Sequence, residues 1–373
     1  MKLNRYLPAI IIATVVIVTA VMFTLVVLAS HHPAAIATAT ETPKPATPTV
    51  SFTATPLATE ANTPAPAQQT IEPTNTAAIK QVAQIALTDS GRIVWALDGK
   101  TFTVLTTNGY VQYDAHTLQA LNTVQFQSPV QLLDVSPDGD TIAITPDMIN
   151  VELRDITGTQ VKFDIKPGYS QNYGATFSPD GKTLLTPAFD TWQADLWSVA
   201  TGQNINSLTG FTTNASNYTA RMLNNTMIVW IADATAQLQE IDSSLMGPSF
   251  IHEDTISDVA LSPDGKTLAT TAAGSLNGQL VPLVYLWDAT SGDAIAKLPP
   301  TSSSGQIAFS PDGSLLAAAD GKTIDLWNVN TQQLAAKLTG PTDSVYDVAF
   351  SPDGNTLIST GYDNTIRIWQ VAP

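Results

Sequence analysis

Residues 345–371 read VYDVAFSPDGNTLISTGYDNTIRIWQV. Val345–Phe350 is apolar and rich in β-formers, and it runs into Ser351-Pro-Asp-Gly354. Proline presets φ there and glycine permits a positive φ, so the chain turns tightly. Thr356–Thr360 forms a second strand, Tyr362-Asp363-Asn364 turns again, and Ile366–Val371 forms a third.

The same tetrapeptide begins at Ser136, Ser178, Ser262, Ser310 and Ser351, and its glycines are Gly139, Gly181, Gly265, Gly313 and Gly354. The intervals are 42, 84, 48 and 41 residues, so a degenerate copy belongs midway along the 84. Arg221-Met222-Leu223-Asn224-Asn225 stands in that place, and Asp98-Gly99-Lys100-Thr101 supplies one more copy upstream. Seven copies result. Most carry a fourth strand, such as Gln333–Leu338, but the last ends at Pro373 without one. Val82–Leu87 precedes the first copy's inner strand, Arg92–Leu97, and is a spare strand of the missing kind. Exchanging it closes the array and satisfies both sheet edges.

The pattern of inner strand, Ser-Pro-Asp-Gly turn and third strand ending in Leu/Ile-Trp resembles a WD40 repeat, over residues 79–373. The resemblance implies an all-β, seven-bladed propeller. Trp197, Trp287, Trp327 and Trp369 occupy the family's tryptophan position, while Tyr113, Arg154 and Gln239 replace it elsewhere. The Trp-Asp dipeptide occurs in this role at Trp287-Asp288. The family's blades hold a hydrogen-bonded His, Ser/Thr, Asp and Trp. Here the fifth copy offers His252, Thr270 and Trp287, with an insertion at 273–282 displacing the Asp. The seventh offers Ser359, Asp363 and Trp369, with Pro341 in the His position. These residues are expected to be structural. Partners of such propellers dock on the face of the loops before the inner strand and after the second strand. That carry-over makes Tyr362 and Phe189 candidate contact residues, and Tyr346, near the start of an inner strand, is a further candidate.

Upstream, residues 7–29 are uncharged, long enough to span a bilayer, and preceded by Lys2 and Arg5. The expectation is a single-pass anchor with residues 1–6 in the cytoplasm and the propeller outside; a cleaved signal peptide is the alternative. Residues 30–78 hold 12 Thr, 12 Ala and 8 Pro, a composition that favours a disordered stalk.

The 373 residues carry 16 Lys+Arg against 32 Asp+Glu, a formal net charge of −16. Residues 1–78 hold three bases and three acids, so the whole imbalance falls on residues 79–373. That acidity argues against a nucleic-acid partner and for a protein or peptide of basic character. With no cysteine there is no disulfide, thiolate nucleophile or Cys-ligated metal. Only His116 and His252 lie in the repeats, which excludes a three-His metal site there. No cofactor is expected. Asp134, Asp258 and Asp347 on inner strands could face a cation in a central channel, or be bonded locally. The leading expectation is a non-catalytic interaction scaffold. A propeller enzyme or small-molecule binder, as in lactonase-like or quinoprotein propellers, and a cell-wall or glycan adhesin stay open.

Overall fold

The computed structural model describes residues 68–372, except 107–108, 127–129, 148, 168–173, 189–190, 211–217, 277 and 299–304. The expected anchor, 7–29, and the stalk up to residue 67 lie outside the described residues. Among the described residues no helix is long and apolar enough to cross a membrane.

The chain forms seven four-stranded antiparallel sheets, the blades of a propeller. Their inner strands are Arg92–Trp95, Gln131–Val135, Thr176–Phe177, Tyr218–Met222, Ile256–Leu261, Ile307–Phe309 and Val345–Phe350, which number the blades 1 to 7. Blade 7 adds Leu357–Gly361 and Thr365–Val371 from the C-terminus and takes its outermost strand, Ile79–Ala86, from the start of the domain. Ile79 pairs with Val371 and Ala86 with Thr365. The expected strand exchange therefore closes the ring.

Each Ser-Pro-Asp-Gly turn is built alike. In blade 3 the Ser178 hydroxyl donates to Asp180 at 2.7 Å and accepts the Thr183 N–H at 2.9 Å. Gly181 takes φ +70° and donates to the Ser178 carbonyl at 2.8 Å. The aspartates are turn residues, each satisfied within its own loop. In the degenerate copy Asn224 accepts the Thr226 N–H at 2.9 Å, as Asp180 accepts that of Lys182 at 3.1 Å. These turns define one face of the ring, the turn face. The loops entering inner strands and joining second to third strands define the other, the loop face.

The apolar core lies between blades. Leu315, Leu326 and Leu338 of blade 6 pack against Val345, Leu357 and Trp369 of blade 7, all buried. Ile71 joins that cluster and is fully buried. The expected stalk thus overlaps the described residues at 68–78, and there the chain is strapped to the domain. The Ile71 N–H donates to the Gly354 carbonyl at 2.9 Å, and the Thr76 hydroxyl to the Ala335 carbonyl at 3.0 Å.

Candidate interaction surface

The tryptophans of the resemblance follow one rule. Trp197, Trp287 and Trp369 pair across the sheet with Leu184, Leu268 and Leu357. Two residues beyond each leucine stands a hydroxyl that accepts the indole N–H: Thr186 at 2.8 Å, Thr270 at 2.9 Å and Ser359 at 2.9 Å. In blade 6 Trp327 pairs with Leu316, and the equivalent position is Ala318. The buried Trp327 N–H has no hydrogen-bond partner.

His252, Thr270 and Trp287 are brought together. His252 Nε2 lies 2.7 Å from the Thr270 hydroxyl, and its ring packs edge-on to Tyr285 and Trp287. Burial pushes His252 down to about 4, so it is neutral at neutral pH. Among the described residues no aspartate reaches its Nδ1, which is unpartnered there, because the insertion continues the sheet instead of turning. The strands Thr267–Leu276 and Gln279–Asp288 pair along their whole length as a ten-residue hairpin. In blade 7 Asp363 sits elsewhere than beside Ser359 and Trp369. It holds Arg367 at 2.9 Å and accepts the Thr342 N–H at 2.8 Å. Its contacts with Arg367 and Thr365 hold its carboxyl well below the ordinary range against the cost of burial.

Asp134, Asp258 and Asp347 are bonded locally, across the seams between blades. Each gives one oxygen to a backbone N–H of the next inner strand: Phe177 at 2.8 Å, Ile307 at 2.9 Å and Ile93 at 2.7 Å. Arg92 and Arg221, one blade back, reach Asp134 at 2.5 Å and Asp258 at 2.8 Å. Before each aspartate the strand register slips by one residue, at Leu133, Ser257 and Tyr346. Such a bulge re-aims the extra side chain.

In blade 7 that extra side chain is Tyr346, on the loop face. It meets Tyr362 with ring centroids 5.5 Å apart and planes at 89°. The two are 38% and 58% exposed, too accessible to be core. Their backbones are locked together: Tyr362 N–H donates to the Ser344 carbonyl at 2.9 Å, and Val345 pairs with Gly361. Phe189 lies outside the described residues. The bulge that aims Tyr346 was not visible in VYDVAF, which reads equally well as plain alternation. A second feature of this face is a cavity of about 360 Å³ lined by Tyr218, Thr219, Arg221, Asp233 and Ser257. Among the described residues no group of three or more His, Asp or Glu could hold a metal ion.

Comparison with known proteins agrees with this geometry. The model of the WD domain, G-beta repeat, matches residues 249–280, 299–328 and 332–370, which fall on blades 5, 6 and 7. The small ribosomal subunit protein RACK1 of Schizosaccharomyces pombe is 33% identical over 137 residues, 34% of this chain and 41% of that protein. An uncharacterized WD repeat-containing protein of Synechocystis sp. is 27% identical over 193 residues, 51% of this chain and 40% of that protein. The chain thus spans about two-fifths of the length of these curated relatives. It carries WD40 repeats, arranged in a seven-bladed propeller.

Proposed function

We propose that this WD40 propeller is a non-catalytic interaction scaffold that receives a basic protein segment on its loop face. WD40 propellers typically bind protein partners and are generally non-catalytic. The observation that carries the reading is the Tyr346–Tyr362 pair, exposed and backbone-locked on a domain with sixteen excess negative charges. Rigid, exposed aromatics are what interface hot spots are made from. His252, the histidine best placed for chemistry, is held by Thr270 and kept neutral, which suits packing.

The anchored location belongs to the same proposal. Residues 7–29 would hold the domain at a membrane with its propeller on the non-cytoplasmic side, supported by their uncharged length and the preceding bases.

A photo-reactive phenylalanine at position 362, compared with one at Lys266 on the turn face, tests the binding face in the source cells. Adducts with a defined protein from 362 and none from 266 are expected. The reverse pattern overturns the loop-face reading. Because the chain has no cysteine, a single Lys266→Cys label read by a membrane-impermeant maleimide on intact cells tests the location. Labelling only after lysis would refute it.

A further inference from the structure

We propose that Tyr346 and Tyr362 form a corner for a cationic side chain, arginine ahead of lysine, on an extended segment of the partner. This rests on the scaffold reading and names the chemistry it recognises. Two ring faces at 89° and 5.5 Å make two walls of a box. The face of an aromatic ring carries negative quadrupole density, so a cation seated in the corner is attracted by the ring face it lies against. Arginine is favoured because its flat, weakly hydrated guanidinium stacks on a ring.

The surroundings suit a cation. Asp343 is exposed three residues before Tyr346, in the loop that also supplies Ser344 to lock Tyr362. Asp347, directly after Tyr346, faces the seam. Two bases lie nearby and both are engaged: Arg92 is held by Asp134 at 2.5 Å, and the Lys322 ammonium donates to the Thr342 carbonyl at 2.7 Å. The domain's net charge draws basic segments toward the surface, and the corner would fix one side chain of such a segment. The bulge makes this possible: without the slip at Tyr346 the ring would follow strand alternation.

The test is calorimetric titration of the full chain, solubilised in detergent, with octa-arginine, octa-lysine and octa-glutamate. Octa-arginine should bind most tightly and octa-glutamate not at all. Tyr362→Leu, which keeps apolar bulk and removes the ring, should weaken octa-arginine about two- to five-fold, the size of an exposed cation–π contact. Tyr362→Phe should bind as the unaltered protein does. Both positions are exposed enough that these variants fold. If Tyr362→Leu and Tyr346→Leu bind unchanged while 0.5 M salt abolishes binding, the acidic field alone holds the peptide and the corner is refuted. Absence of any octa-arginine binding refutes it too. The scaffold reading is judged separately by adducts from position 362: a partner that meets the loop face through an uncharged segment leaves that reading standing and removes the corner.

Discussion

The Asp347 carboxylate of blade 7 accepts the backbone N–H of Ile93 in blade 1 at 2.7 Å. Thr360 donates to the Gly91 carbonyl across the same seam at 2.7 Å. The ring is therefore fastened on its inner side as well as by the exchanged outer strand. Asp347→Ala should leave the Ile93 N–H buried without a partner and cost about 1–3 kcal/mol. Denaturant titration measures it, and an unchanged midpoint would show that the Asp347 bond adds nothing to the closure.

Asp347 and His252 oppose each other in acid. Burial raises the Asp347 carboxyl to about 6, despite its backbone donors and Arg92. Between about pH 4 and 6 the folded state then holds a proton the unfolded chain has lost, so this group's contribution falls as pH rises. Burial lowers His252 to about 4. Between about pH 4 and 6.5 the unfolded chain binds the extra proton, so its contribution rises with pH and is complete above 6.5. Melting temperature followed from pH 4 to 7 should tilt downward with pH in His252→Gln and more steeply upward in Asp347→Asn, relative to the unaltered protein. Parallel curves for all three would remove both assignments.

Trp327 lacks the acceptor its counterparts have. Ala318→Ser supplies a hydroxyl at the position held by Thr186, Thr270 and Ser359, and should stabilise the domain by about 0.5–1.5 kcal/mol. Loss of stability would mean that the pocket around the buried Ala318 has no room for the oxygen.

Thr270 serves two partners at once, His252 and Trp287. Thr270→Val keeps shape and removes the acceptor, leaving a buried indole N–H and an imidazole unpaired. A loss of about 2–4 kcal/mol is expected, roughly twice that of Ser359→Ala in blade 7, where one indole is served. Equal losses would assign His252 no share.

The repeat and its turns are legible because they are local: proline, aspartate and glycine act within four residues; the closing strand pairs Ile79 with Val371 and is legible by counting, since the copies leave one strand spare and one place to fill. The ligation of Asp347 was not, since Ile93 lies 254 positions away in sequence. Tyr346 was picked for its place near a strand start, yet its meeting with Tyr362 depends on a bulge that no residue type announces. The role of Thr186 is not legible in the sequence, because the tryptophan rule becomes visible only when the register is known. The burial of Ile71 is hidden in the sequence because it sits in a stretch rich in Thr, Pro and Ala. Composition speaks for a segment, and one buried isoleucine does not change the average.

Ile71 is fully buried where the chain enters blade 7. Ile71→Ala should cost about 2–5 kcal/mol, and a fragment beginning at residue 79 should melt below one beginning at 68. Identical melting would show the strap to be incidental.

The strap also decides how the domain meets a mechanical load. Tension along residues upstream of 68 arrives first at Ile71 and its bond to Gly354, next to the turn face. Beyond it lies Ile79, the first residue of the strand that closes the ring, paired antiparallel with Val371. A pull from that end would peel the closing strand one bond at a time, the weakest way to load a sheet. Ile71 is the rivet ahead of the seam. It must shear out before the propeller can begin to unzip, so a tethered copy would stay shut under forces that open a copy lacking it.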